Sequence, residues 1–127
     1  MTTKRLLRPD RVRHPPREGF SWLDRRFLRE HAPRLGRDAI SYYFFLAAVS
    51  DRRGLSFWKE SSAGGMLRIP AGQVVRAREQ LVDGDLIEHH SPLTQVLSLP
   101  APGQAPRHDQ TTETLAQILG RLARRES

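Results

Sequence analysis

The sequence predicts a mainly α-helical domain with a small β-hairpin, and three segments support this prediction. The predicted helix 37–52 contains the stretch AISYYFFLAAV, which is apolar almost all round, as in a helix that is buried on most sides. Residues 70–82 repeat apolar side chains every three to four positions, which is the pattern of an amphipathic helix. Residues 86–99 hold two short apolar runs around a Ser-Pro turn, and such runs pair as antiparallel strands. The length of 127 residues fits one small domain with tails.

A short helix is expected before the long one. It runs from Asp24, which can cap it, to His31, and Pro33 ends it. Phe27 and Leu28 are expected to pack into the core. An apolar Phe-Ser-Trp-Leu segment precedes this helix and begins the domain.

The long helix, residues 37–52, is either a central helix buried on most sides or a helix that shares part of its surface with a second subunit. The small size of the domain favours a homodimer contact for part of it. Its aromatic run, residues 42–45, has the helical spacing of a core rather than the open arrangement of a base-stacking platform. Gly54 is available as the left-handed residue that ends the helix.

A short strand and a short helix are predicted between the long helix and the amphipathic helix. Residues 55–58 can form the strand and pair with the hairpin. The helix is expected to start near Ser62, capped by Ser61 or Ser62. Gly64 and Gly65 cost about 1 kcal/mol each in its interior relative to alanine, so it should be short or irregular. Its inward-facing residues are expected to be Ala63, Met66 and Leu67.

The amphipathic helix, residues 70–82, follows at once and runs into the hairpin. Pro70 suits its first turn, where a missing N–H has no partner, and Gly84 suits the position just past its end. Its inner face is expected to hold Val74, Ala77 and Leu81. Its outer face is expected to present Gln73, Arg76, Glu79 and Gln80. Side chains of these types can reach base edges or phosphates from a major groove.

The order of elements from residue 20 to residue 99 resembles that of the winged helix-turn-helix superfamily. The stretch DAISYYFFLAAVSDRRGLSFW, followed by RIPAGQVVRAREQLVDGDLI, is similar to the small winged-helix domains of replication initiators, mobile-element proteins and prophage regulators. The resemblance implies that the helix 70–82 is a recognition helix. Some members of the superfamily use the fold only for protein contacts. The expected fold is therefore mainly α with a small β-wing, a winged helix-turn-helix.

Arg78 departs from the resemblance, because such recognition helices commonly present an apolar residue after the position of Ala77. Either the stem of Arg78 packs while its guanidinium reaches the surface, or the helix is rotated and Val75 turns inward. This choice determines whether Arg78 or only Arg76 faces DNA.

Composition narrows the classes of function. The net charge of +7 favours a polyanionic partner, nucleic acid before membrane. Arginine accounts for 19 of the 21 basic residues, and arginine can donate two hydrogen bonds to guanine in a geometry that lysine cannot copy. The absence of cysteine excludes disulfides, thiolate zinc sites and thiol nucleophiles. No apolar signal-type run follows the basic N-terminus, so the expected location is the bacterial cytoplasm, associated with the nucleoid.

Segments at both termini flank the domain. Residues 1–19 are expected to form a flexible basic arm that tracks phosphates or enters a minor groove, or else a solvated leader without a dedicated role. A Pro-rich linker, residues 100–109, leads to an amphipathic helix at residues 110–127. The apolar stripe of that helix is Leu115, Ile118, Leu119 and Leu122. A helix of this length is marginal alone, so it should dock on its own core, on a second copy or on a partner protein.

The sequence predicts a non-enzymatic protein that binds double-stranded DNA, a regulator or accessory factor of a mobile element, plasmid or phage. The alternative is a protein-interaction adaptor in a larger nucleoprotein assembly with little DNA affinity of its own. The expected DNA-contacting residues are Arg68, Gln73, Arg76, Arg78 and Gln80, together with Arg5, Arg8, Arg11 and Arg13 of the arm. The hairpin tip lacks lysine and arginine, so only His89 and His90, when protonated, add charge there.

Catalysis has little support in the sequence. Adjacent strand residues such as His89 and His90 point to opposite sides and make no shared metal site. Gly64 and Gly65 are not followed by the lysine of a phosphate-binding loop. No metal or cofactor is therefore expected.

Overall fold

The computed structural model describes residues 4–101, which form three α-helices and a three-stranded antiparallel sheet. The helices are α1 (Arg37–Val49), α2 (Glu60–Leu67) and α3 (Ala71–Asp83). The strands are β1 (Leu55–Phe57), β2 (Ile87–His90) and β3 (Leu93–Val96). The prediction of a mainly helical domain with a small antiparallel sheet is confirmed, and the order of elements is compatible with a winged-helix layout.

The predictions for the C-terminal part of the chain lie outside the described residues. They comprise the linker beyond Ala101 and the helix 110–127. The apolar stripe on that helix, which lies outside as well, is Leu115, Ile118, Leu119 and Leu122.

The core lies between α1 and α3. Tyr42 and Leu46 of α1 share one buried cluster with Val74 and Leu81 of α3, and each of these side chains is at most 2% exposed. Full burial of a side chain of this size contributes about 1.5–3 kcal/mol. Ala77 is buried in the same cluster, so the predicted inner face of α3 is confirmed.

The aromatic run of α1 belongs to the core. Tyr43 stacks on Phe27 with ring centroids 4.0 Å apart, and Phe45 packs edge-on against Trp58 at 5.1 Å. Within the run only Phe44 keeps substantial exposure, at 37%. A homodimer contact through α1 stays a prediction, and Phe44 and Ala48 are the apolar α1 side chains left exposed.

The sheet has β3 as its central strand, in the order β1-β3-β2. β1 pairs antiparallel with β3, as predicted for residues 55–58, and β2 pairs with the other edge of β3 across the Ser-Pro turn. The helix α1 already ends at Val49, so the prediction that Gly54 ends it is wrong. Gly54 instead takes φ 85° in the turn before β1, where a Cβ would clash with the carbonyl oxygen of Val96.

The helix α2 differs from the prediction at both its start and its buried face. It begins at Glu60, so neither predicted serine caps it. Met66 is 66% exposed, and the prediction that it faces inward is wrong. Ala63 and Gly64 form the buried face, because the chain after α2 returns so closely that a Cβ on Gly64 would lie 2.5 Å from the carbonyl oxygen of Ile69.

The segment before α1 forms two short turns rather than one α-helix. A π-helical turn (Phe27–His31) is followed by a 3₁₀ turn (Ala32–Arg34) that contains Pro33. Asp24 supports the first turn, since its Oδ1 accepts a hydrogen bond from the backbone N–H of Arg26 at 2.9 Å. Leu28 is 62% exposed, so the prediction that it packs in the core is wrong, whereas Phe27 is buried as predicted.

His31 is a buried titratable group within the π-helical turn. Its side chain is 7% exposed and stacks on Phe27 with centroids 6.4 Å apart. Its Nε2 is buried and has no hydrogen-bond partner among the described residues. Burial, and next the charge of Arg34, lower the pKa of His31 below its ordinary value of 6.5. The neutral form is therefore the one that the fold accommodates.

We expect acid to destabilise the domain through His31. Because its pKa is lower in the folded state, the unfolded chain takes up the proton first, and the free energy of unfolding falls as pH drops below about 6.5. The slope from one such group is at most about 1.4 kcal/mol per pH unit. Urea unfolding from about pH 7.5 to about pH 5 measures it. His31→Phe should reduce the slope, with His14→Gln in the exposed arm as control, and an undiminished slope would contradict this role.

Candidate nucleic-acid interface

The open face of α3 is the first part of the candidate interface. Gln73, Arg76 and Glu79 are exposed there, while the opposite face of the helix is buried in the core. Side chains that project from a helix fixed by packing are held more precisely than side chains on a loop. Arg76 is the exposed cation of α3, since Arg78, the other arginine of the helix, is largely covered.

The turn between α2 and α3 is the second part. Arg68 is exposed and adopts the left-handed conformation, with φ 59°, and its N–H donates to the carbonyl of Gly64. Ala71 and Gly72, in the first turn of α3, are exposed as well. The N–H groups at a helix start point outward and attract anions. Arg68 and the start of α3 therefore suit a phosphate group.

Arg78 lies at the junction of α2 and α3 rather than on the open face. Its side chain is 18% exposed, and its Nη1 donates to Oε1 of Glu60 in an ion pair that joins the two helices. Its stem packs, as in the first alternative for this residue, but the guanidinium meets Glu60 instead of solvent. Val75 is half-buried on the same helix. Arg78 therefore serves the packing of the helix pair.

Gln80 also has a partner within the fold. Its Oε1 accepts a hydrogen bond from the backbone N–H of Gly36 at 3.0 Å, and Gly36 is the N-cap of α1. This contact ties the C-terminal half of α3 to the start of α1 and fixes the orientation of the amide. Among the α3 side chains that are expected to contact DNA, Gln73 and Arg76 have no such hydrogen bond or ion pair within the described structure.

The tip of the hairpin holds two histidines, His89 and His90, which differ in exposure and in their contacts. Nδ1 of His89 lies 2.8 Å from Oγ1 of Thr94, directly across the β2–β3 pair. Burial, and next the charge of Arg78, lower the pKa of His89, so this residue adds no positive charge at neutral pH. The side chain of His90 is 81% exposed, and its Nε2 lies 3.9 Å from Oε2 of Glu88. His89 therefore gives the hairpin no fixed positive charge.

The arm is exposed along its whole described length, residues 4–19, and contains a 3₁₀ turn (Pro9–Arg11). Arg8 forms two hydrogen bonds with Asp10, at 3.0 and 2.7 Å, so its charge is locally compensated. The Arg8 guanidinium lowers the pKa of Asp10, which keeps that carboxylate charged. The other exposed basic residues of the arm are Lys4, Arg5, Arg11, Arg13 and Arg17.

Sequence reasoning missed Glu60 and Gly36, which bind the side chains of Arg78 and Gln80 within the fold. Glu60 precedes Arg78 by 18 residues and Gly36 precedes Gln80 by 44, so no helical spacing links them. The one available signal was the departure of Arg78 from an apolar position, which left open that its stem packs but did not indicate a partner for its guanidinium.

The described part of the chain, residues 4–101, holds no group of three or more His, Cys, Asp or Glu side chains placed to bind a metal ion. In the same range no helix has the length and apolar character needed to cross a membrane. Comparisons with protein-family models, with curated proteins and with solved structures find no match. What the interface binds must therefore follow from its own chemistry.

Proposed function

We propose that the chain binds double-stranded DNA through a winged helix-turn-helix, with α3 as the recognition helix and the β2–β3 hairpin as the wing. The observation that carries this proposal is the open face of α3, where Gln73 and Arg76 project from a helix whose other face is locked in the core. A single helix presented in this way fits the major groove of B-DNA.

Each side chain of the interface has a chemical role in this proposal. Arg76 can donate two hydrogen bonds to O6 and N7 of guanine, and Gln73 can pair with N6 and N7 of adenine. Arg68 and the start of α3 hold a phosphate, which sets the position of the helix along the groove. The basic arm adds phosphate contacts or enters the adjacent minor groove.

Arg78 and Gln80 are left out of the proposed contact set. The ion pair of Arg78 with Glu60 and the hydrogen bond of Gln80 with Gly36 hold α3 against α2 and α1. These residues act on DNA only by keeping Gln73 and Arg76 in place.

We assign the protein the role of a regulator or accessory factor of a mobile element, plasmid or phage. The support for this role is the resemblance of residues 20–99 to the winged-helix domains of such proteins. A protein-interaction adaptor is the second candidate. Glu79 favours it, because a carboxylate on the open face of α3 repels phosphates.

The substitution Arg76→Ala tests the base-reading role. A preferred site is first selected from a random duplex pool, and binding is then measured by fluorescence anisotropy at fixed salt on that site and on random duplex. We expect a loss of about 1–3 kcal/mol on the preferred site and a much smaller loss on random duplex. Arg53→Ala is the matched control, because Arg53 is an exposed arginine in the turn before β1, at the end of the sheet opposite the hairpin turn.

Two results would contradict the proposal in different ways. Equal losses on both duplexes would make Arg76 a phosphate contact rather than a base reader. A selection that enriches no sequence would favour the adaptor.

A further inference from the structure

A groove of about 1310 Å³ lies in the domain, and no residue of α2 lines it. One wall is the segment 18–24, the second is the end of α1 with the turn that follows it, and the third is the chain at 95–99. The Ser21 hydroxyl donates to the carbonyl of Ala48 at 3.2 Å and holds the first wall against α1. The groove is therefore a feature of the folded domain and not of a detached arm.

The walls of the groove expose apolar side chains. Phe20, Trp22 and Leu23 are 70%, 76% and 44% exposed, and Ala48 is exposed beside them. Aromatic side chains left open together in a groove mark a surface that another segment covers. The open face of α3 lies outside this groove, since none of its residues lines it.

We propose that the C-terminal segment of the same chain, residues 110–127, docks in this groove through its apolar stripe. The described chain arrives at the groove itself: Leu99 lines it, and the carbonyl of Pro100 accepts a hydrogen bond from Nη1 of Arg26 at 2.9 Å. The stripe begins 14 residues beyond Ala101, a separation that an extended chain spans over about 45 Å. Every part of the groove is within its reach.

The length of the apolar stripe and its covalent link to the domain favour the C-terminal segment over other occupants of the groove. The stripe, which consists of Leu115, Ile118, Leu119 and Leu122, covers about 11 Å if the segment is helical, or two turns. A short linker gives a tethered segment an effective concentration on the order of millimolar. A second copy of the chain or a separate protein at micromolar concentration competes poorly with a segment held so near.

Because the chain has no cysteine, engineered cysteine pairs in the full-length protein test the docking. Ala48→Cys is combined in turn with a cysteine at each of the four stripe positions, and oxidation is followed by loss of free thiol and by gel mobility. The matched control replaces Ala48→Cys with Ser62→Cys, an exposed position on α2 outside the groove. We expect intramolecular disulfides to form about tenfold faster with Ala48→Cys at one or more stripe positions.

Equal rates for the two cysteine positions would overturn the proposal. Covalent dimers formed in place of intramolecular disulfides would overturn it too, and would assign the groove to a second copy.

Trp22 supplies an independent measurement in the full chain. Its emission is isolated by difference against Trp22→Phe, because Trp58 remains in both proteins. The double substitution Ile118→Asp and Leu119→Asp should shift this emission to the red and raise acrylamide quenching about twofold, while Gln117→Asp should change neither. Quenching that is equally high in the unmodified chain would show an open groove and overturn the proposal.

Discussion

Replacing Gly64 with alanine is expected to lower the free energy of unfolding by about 1–3 kcal/mol, although alanine is the better helix former. A Cβ at this position would lie 2.5 Å from the carbonyl oxygen of Ile69 and 3.4 Å from Cγ2 of Val74. The first of these contacts is with backbone, which cannot rotate away as a side chain does. The substitution must therefore push α2 away from the turn that leads to α3.

The matched control is the neighbouring glycine. A Cβ on Gly65 meets nothing within 4 Å, so Gly65→Ala should stabilise α2 by about 0.5–1 kcal/mol. Urea unfolding followed by circular dichroism measures both variants. The two substitutions are expected to change the free energy of unfolding in opposite directions. Stabilisation by both would show that α2 and the turn are not in close contact. Gly64→Ala should also weaken DNA binding, because the displaced turn holds Arg68.

The parts of the fold that depend on a repeating apolar pattern could be predicted from the sequence. Val74, Ala77 and Leu81 recur at helical spacing, and their burial is confirmed. The pairing of residues 55–58 with the hairpin is confirmed by the contact of β1 with β3. In these elements, the residues that set the local apolar spacing are the same residues that make the tertiary contacts. The sequence pattern is therefore sufficient to predict the element and its buried face.

The start of α2 could not be predicted in the same way. Ser61 and Ser62 are strong capping residues, but α2 begins before them at Glu60. The ion pair of Glu60 with Arg78 and the close packing at Gly64 outweigh the local preference for a serine cap. Local propensities of about 1 kcal/mol are commonly overridden by such tertiary contacts.

The position of the candidate site could be predicted from the sequence. Which residues belong to it could be predicted only in part. The outer face of α3 and the exposed turn residue Arg68 follow from helical spacing and from the turn before Pro70. The contacts that engage Arg78 and Gln80 within the fold are with partners far away in sequence. A sequence pattern shows which side chains can face outward, but only the packed structure shows which of them are already engaged.

Neutralising the arm is expected to have the largest effect on DNA binding. The variant replaces with glutamine the five exposed basic side chains of the arm other than Arg8, namely Lys4, Arg5, Arg11, Arg13 and Arg17. For every phosphate that the variant no longer neutralises, the slope of log affinity against log salt should become shallower by about 0.9. If all five side chains bind phosphates, the slope changes by about 4 to 5, and affinity at about 0.15 M salt falls by a factor on the order of 10³.

The Arg8–Asp10 pair provides an internal control for this charge effect. Arg8 is bound to Asp10 at 2.7 Å, so Arg8→Gln should weaken binding less than Arg11→Gln. Asp10→Asn should tighten binding to all duplexes alike, because it frees Arg8 and removes a negative charge. Anisotropy titrations at several salt concentrations measure each variant. Equal losses for Arg8→Gln and Arg11→Gln would show that DNA breaks the pair on binding.

The arm-neutralised protein also separates the two candidate functions. If α3 reads bases, weak binding to the selected site survives neutralisation and still falls by about 1–3 kcal/mol with Arg76→Ala, since phosphate contacts and base contacts are independent. If the chain is an adaptor, neutralisation removes all measurable binding, and Arg76→Ala has no further effect. Low salt, where the remaining affinity is highest, is the condition in which these outcomes differ most.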